Sequence, residues 1–279
     1  MSTVIKEKHD YSAQAKIFEG DLVTPFVSKI HPQGHLQLEP EGGYKAARSI
    51  DYRLENVLSF KNAYSHVSGV HDTTKPEHYW STLSTTVVEG LNIMEILTAD
   101  RIVGQIVVNH PPDGYVPMIH FLGTRIENLR IAGEPVELDW NLDIFGDKPG
   151  SDGAYTRESG VLGRVSNQYE NIRGIQGLPA KLHDHYNQLD STLGKAETIE
   201  CSLVNQAEGA FPGTAWGNVI HVPHFGTITL GKLTLQHLNP HPQTSAPQET
   251  QLQLTMIDLQ FGCVIGGTGG VGGGGTGGH

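Results

Sequence analysis

From Trp80 to Gly146 one strand pattern follows another, with turn chemistry between them and nothing catalytic inside the run. Ile102, Gly104, Ile106 and Val108 alternate with Arg101, Val103, Gln105 and Val107. That segment is apolar over most of both faces, so it reads as a central strand covered on both sides. His110-Pro111-Pro112-Asp113-Gly114 supplies the turn that ends it. Farther on, Leu129 and Ile131 share a face, Gly133-Glu134 offers the Gly-X step of a type II′ turn, and Val136, Leu138, Trp140 and Leu142 alternate on the return. The other face of the return carries Glu137, Asp139, Asn141 and Asp143, as in an antiparallel sheet with one wet side.

The flanks extend this pattern. Tyr11, Ala13, Ala15 and Ile17 alternate in a first strand that ends at Glu19-Gly20-Asp21. Ser49 to Tyr64 is extended and mixed, and His71 to Glu77 is a polar connection. Toward the C-terminus Ile199, Cys201 and Leu203 alternate. Ile228 and Leu230 then keep one phase, but beyond Gly231 the apolar set moves to Leu233 and Leu235. Leu252, Leu254 and Met256 flip in the same way to Ile257, Leu259, Phe261 and Cys263. A phase flip inside a strand marks a β-bulge or a strand crossing between sheets. Two flips joined by the Pro-rich loop Asn239 to Thr250 predict a bent hairpin at the corner of a sandwich or barrel.

Between these blocks, residues 147–177 show little periodicity and read as a long surface excursion. One amphipathic helix follows, with Pro179 near its start, Leu182, Tyr186, Leu189 and Leu193 at helical spacing, and Gly194 as its stop. The expected fold is therefore mainly β: an antiparallel β-sandwich or barrel-like body over residues 1–265 with one short helix. The excursion falls at 147–195, and a Gly-rich C-terminal tail occupies 266–279.

Several functions are disfavoured. The formal charge is −11, and the 19 Lys and Arg form no cluster, so nucleic acid and anionic membranes are poor partners. No stretch reaches the roughly 20 apolar residues of a spanning helix, and Met1 to Asp10 has no signal-peptide core, which makes the cytoplasm the default address with signal-less export the alternative. Cys201 and Cys263 form no C-x-x-C pair and read as buried thiols. Gly226 to Lys232 nearly spells a phosphate loop, but Leu233 stands where Ser or Thr must hold magnesium. Gly267 to Gly272 matches a dinucleotide fingerprint with no room for its helix. Asp139-x-Asn141-x-Asp143 opens like a calcium loop but has Ile144 at its sixth position and Gly150 at its twelfth.

The histidine pairs His183/His185, His221/His224 and His237/His241 are the remaining ligand candidates, and His221 and His224 are placed to converge with His237. A metalloenzyme built on them ranks third. A β module that binds carbohydrate or another ligand through loops around Tyr115, Trp140 and Trp216 ranks second. The leading expectation is a non-enzymatic structural protein without cofactor that assembles with itself into a homo-oligomer or filament. Its assembly residues are Gly266, Gly267, Thr268, Gly269, Gly270, Val271, Gly272, Gly273, Gly274 and Gly275. Thr268 and Val271 stand three apart among glycines, the spacing of a threefold polyproline-II-like helix packing between subunits.

Overall fold

A computed structural model of the protein describes residues 9–22, 28–74, 80–112, 115–150, 153–240, 247–261 and 267–278. The first strands are β1 (Tyr11–Leu22), β2 (Ser28–Gln33), β3 (Leu36–Gln37), β4 (Gly43–Leu54), β5 (Leu58–His71), β6 (Trp80–Ile93) and β7 (Leu97–His110). Short pieces follow: β8 (Met118–His120), β9 (Arg125–Glu127), β10 (Arg130–Ile131), β11 (Glu134–Pro135) and β12 (Glu137–Trp140). After helices α1 (Ser159–Arg173) and α2 (Ala180–Thr192) come β13 (Thr198–Ser202), β14 (Val204–Glu208), β15 (Thr214–Trp216), β16 (Val219–Val222), β17 (Gly226–Pro240), β18 (Pro247–Phe261) and β19 (Gly267–Gly278).

Two large open sheets pack around a main core, with a smaller buried cluster of Tyr11, Ala13, Ala15, Leu38, Val67 and Trp80 beside it. The first runs β15-β16-β17-β18-β19-β1-β2 and the second β11-β10-β7-β6-β5-β4, while β12 and β14 form a separate pair. The first sheet meets the second where β1 lies against β5 and β6, and β19 against β6 and β7. Neither sheet closes, so the barrel-like alternative does not hold. As its two apolar faces required, β7 is central, with β6 on one side and β8, β9 and β10 on the other.

The expected phase flips are present, and they line up. Pairing of β1 with β19 skips Ile17 and Gly272, pairing of β18 with β19 skips Met256 and Gly272, and pairing of β17 with β18 skips Gly231 and Met256. The register is the same on both sides of each gap. A single crease therefore crosses four adjacent strands, and along it consecutive residues face inward: Ile17 with Phe18, and Met256 with Ile257, are all buried. Gly231 takes φ +60° at this line, where an added Cβ would crowd Val204. The second sheet repeats the device at Asp51, Lys61, Gly90 and Asp100, with φ +50° at Asp51 and +66° at Gly90.

Small residues set the separation of the sheets beside β19. Ala13 and Ala15 are buried on β1, and the Ser84 hydroxyl of β6 donates across to the Gln14 carbonyl of β1 at 2.7 Å. A Cβ at Gly104 would stand 2.9 Å from Met256 Cγ.

Two local expectations need correction. Residues 147–177 are not all excursion, because α1 occupies 159–173 and buries Val161, Val165, Tyr169 and Ile172 at helical spacing. Each such side chain contributes about 1.5–3 kcal/mol by leaving water. Gly160 and Gly163 obscured the pattern. Gln168 fixes this helix to the sheet end, since its side-chain amide donates to the Ser202 carbonyl at 3.0 Å and accepts from the Ser202 N–H at 2.9 Å. The hairpin turn also sits one residue earlier than expected. Ala132 and Gly133 are its central pair, both with positive φ, which is the type I′ geometry that follows strand twist. Beyond Val136 the return strand leaves its hairpin partner and, as β12, pairs with β14.

Gly231→Val combines left-handed strain with overpacking against Val204, so it should lower stability by about 1–3 kcal/mol in urea denaturation. Unchanged stability would mean that the crease does not require this conformation.

Candidate functional site

The tail does not form a threefold helix. Among the proposed assembly residues, Gly267 to Gly275 lie in β19, and Gly266 lies outside the described residues. The strand fills the slot between β1 and β18 and is antiparallel to both. Tyr11 pairs with Gly278 and Asp21 with Thr268 on one side, while Leu252 pairs with Thr276 and Phe261 with Gly267 on the other. Removing β19 would leave β1 and β18 as facing, unpaired edges.

Register assigns β19 its two faces. Val271 is level with buried Phe18 and Ile257, and Gly274 with buried Ala15 and Leu254. Gly270, Gly273 and Gly275 are level with the outward residues Glu19, Lys16 and Gln14 of β1 and with Asp258, Thr255 and Gln253 of β18. The outer face of the sheet thus has a bare strip of backbone between two polar banks. A cavity of about 630 Å³ lies over these banks, bordered also by β2 and by Lys232 and Thr234 of β17. Lys16 holds Glu19 at 2.5 Å, and Lys232 lies 3.8 Å from Glu200. Burial pushes the Asp258 carboxyl above its ordinary pKa, and Lys232 opposes that shift. The bank residues are the polar halves of β1 and β18, which in sequence look like any solvated strand face.

A second cavity of about 520 Å³ lies between α2 and the same face, lined by Leu182, Tyr186, Leu189, Trp216 and Val219, with Lys232 and Asp258 on the border of both cavities. Tyr186 donates to Asn218 Oδ1 at 3.3 Å, and its burial raises the phenol to about 12. Buried Cys201 lines its floor as a thiol pushed upward by burial, in keeping with a structural role. Cys263 lies outside the described residues.

The aromatic contact surface expected around Tyr115, Trp140 and Trp216 is not assembled. Trp216 is buried, Trp140 packs against the core, and Tyr115 is half-buried. Nor does His237 converge with His221 and His224. It is buried, its Nε2 accepts the Tyr155 N–H at 3.1 Å, and its Nδ1 lies 3.1 Å from Thr250 Oγ1. His183 and His185 stand on α2, His221 on β16 and His224 in the following turn, while His241 lies outside the described residues. Among the described residues, no three His, Cys, Asp or Glu group as a metal site. Asp139 accepts from Asn205 Nδ2 at 3.0 Å on an exposed strand face. No helix of the described residues is long and apolar enough to cross a membrane.

Residues 9–236 match the family described as Domain of unknown function (DUF8256), and the chain belongs to that family. The matched stretch ends inside β17, so β18 and β19 lie beyond it. No curated protein and no solved structure matches the chain. The protein is thus a mainly β member of this family, with two α-helices and several sheets among the described residues.

Burial lowers the His237 pKa to about 4, against which Glu197 acts weakly. An unfolded imidazole titrates near 6.5, so between these values the unfolded chain binds the additional proton. Stability from this group is complete above about pH 6.5 and falls by about 3 kcal/mol as pH drops to 4. His237→Gln keeps an acceptor for Tyr155 and should flatten the slope of urea-unfolding free energy over that range. Equal slopes in both proteins would contradict the assignment.

Proposed function

We propose that this protein is a non-enzymatic structural module that assembles with copies of itself, its glycine strand passing from one subunit into the sheet of the next. The observation that carries this reading is the position of β19: it is almost wholly glycine yet is an interior strand with a ladder on each side. Only residues 262–266 separate it from β18. A strand inserted from a neighbour makes the same ladders as one inserted in the same chain, so exchange costs little beyond reopening that connection. Ordering glycine costs on the order of 1–2 kcal/mol of backbone entropy per residue, and two full ladders offset that where one edge would not. Reciprocal exchange yields a dimer, and head-to-tail exchange yields a filament.

A crosslink reads the connectivity directly. Ser12 is the register partner of Gly277. Ser12→Cys with Gly277→Cys, in a Cys263→Ser background, should on oxidation at high protein concentration give covalent dimers or a ladder on a non-reducing gel. Exclusively monomeric crosslinked chains, with a monomeric mass by light scattering at every concentration, would overturn the reading.

A further inference from the structure

The outer face of the glycine strand has a property that assembly does not use. Side chains on neighbouring strands normally fill the surface of a sheet row by row, but Gly270, Gly273 and Gly275 interrupt three successive outward rows. The backbones of β1 and β18 lie two strand spacings apart, about 10 Å. Between their side chains runs a trench whose floor is peptide planes and Cα hydrogens. The floor amides and carbonyls are committed to the two ladders, so a ligand here is recognised by the banks.

Those banks are chemically balanced. Lys16, Lys29 and Lys232 border the cavity with Glu19, Asp21 and Asp258, three cations against three carboxylates. Gln253 and Thr255 add neutral donors and acceptors to the β18 bank. Such a site gives little net attraction to an anion or a cation, and the apolar side chains of its described lining are Ile30 and Pro32 of the β2 side, away from the β18 bank. It offers donors and acceptors on both sides of a flat floor.

We propose that this trench binds a neutral polyhydroxylated ligand, a linear oligosaccharide, with its sugar rings lying flat on the glycine backbone and its hydroxyls bonded to Lys16 and Glu19 on one bank and to Gln253, Thr255 and Asp258 on the other. The ring's C–H faces pack on the bare peptide strip, and any Cβ in the floor would lift the ligand away from its partners. Because the floor is β19 itself, the site exists only when a tail occupies the slot, whether from the same chain or a neighbour. Ligand binding therefore stabilises the inserted tail by mass action.

Full-length protein titrated with cellohexaose and with maltohexaose by calorimetry tests this proposal. At least one should bind saturably with a Kd on the order of 1 mM or tighter. Thr255→Trp, at a half-exposed outward position, places an indole across the trench and should weaken that binding at least about tenfold while leaving the circular dichroism spectrum and the native mass unchanged. An unchanged mass with lost binding separates the trench from assembly. Absence of saturable binding to both saccharides, equal binding by Thr255→Trp, or clear preference for a sulfated oligosaccharide over the neutral ones would each overturn the proposal.

Discussion

A strand nearly without side chains holds its place by its backbone, and the larger sheet depends on one. Among the described residues, β17 and β18 are joined to β1 and β2 in the sheet through β19, whose amides and carbonyls serve both neighbours. Glycine is a costly residue to order, yet here its missing Cβ permits two close approaches. On the inner side it faces the second sheet in a region of small residues, where Ala13 and Ala15 are buried, Ser84 reaches the β1 backbone and Gly104 makes room for Met256. On the outer side it leaves the trench. One compositional choice thus governs how near the sheets come and what the surface offers.

The second constraint is the alignment of the creases. An isolated bulge shifts register and flips every later side chain to the other face. In this protein neighbouring strands flip at the same row, so register survives while the inward face is re-aimed. Gly231 supplies the required left-handed backbone in one sheet, and Gly90 and Asp51 in the other. In the first sheet, residues on both sides of the crease are buried, which lets long strands wrap the core without breaking.

Much of this was legible from alternation. The central position of β7, the flips near Gly231 and Met256, and the helix after Pro179 follow from residues a few positions apart. The pairing of the tail was not legible, because glycine carries no phase and so declares neither a face nor a partner. Val271 was the one clue, since as a strand residue it belongs level with apolar neighbours, as it is with Phe18 and Ile257. Helix α1 was hidden for a different reason: its apolar residues recur every three or four positions, but glycines among them mimic a loop. Of the aromatic residues offered as a ligand surface, Trp216 is buried, Trp140 packs against the core and Tyr115 is half-buried, and the trench banks were indistinguishable from solvated strand faces until the strand between them was known.

Amide hydrogen exchange of the full-length protein, resolved for the peptide covering 267–278, tests the central claim most directly. A glycine strand laddered on both sides should be protected to the same degree as β1 and β18, because its amides open only when the sheet does. The account predicts that shared protection whether the tail is inserted in its own subunit or a neighbour's. Exchange of the tail at free-peptide rates, with β1 and β18 still protected, would contradict it.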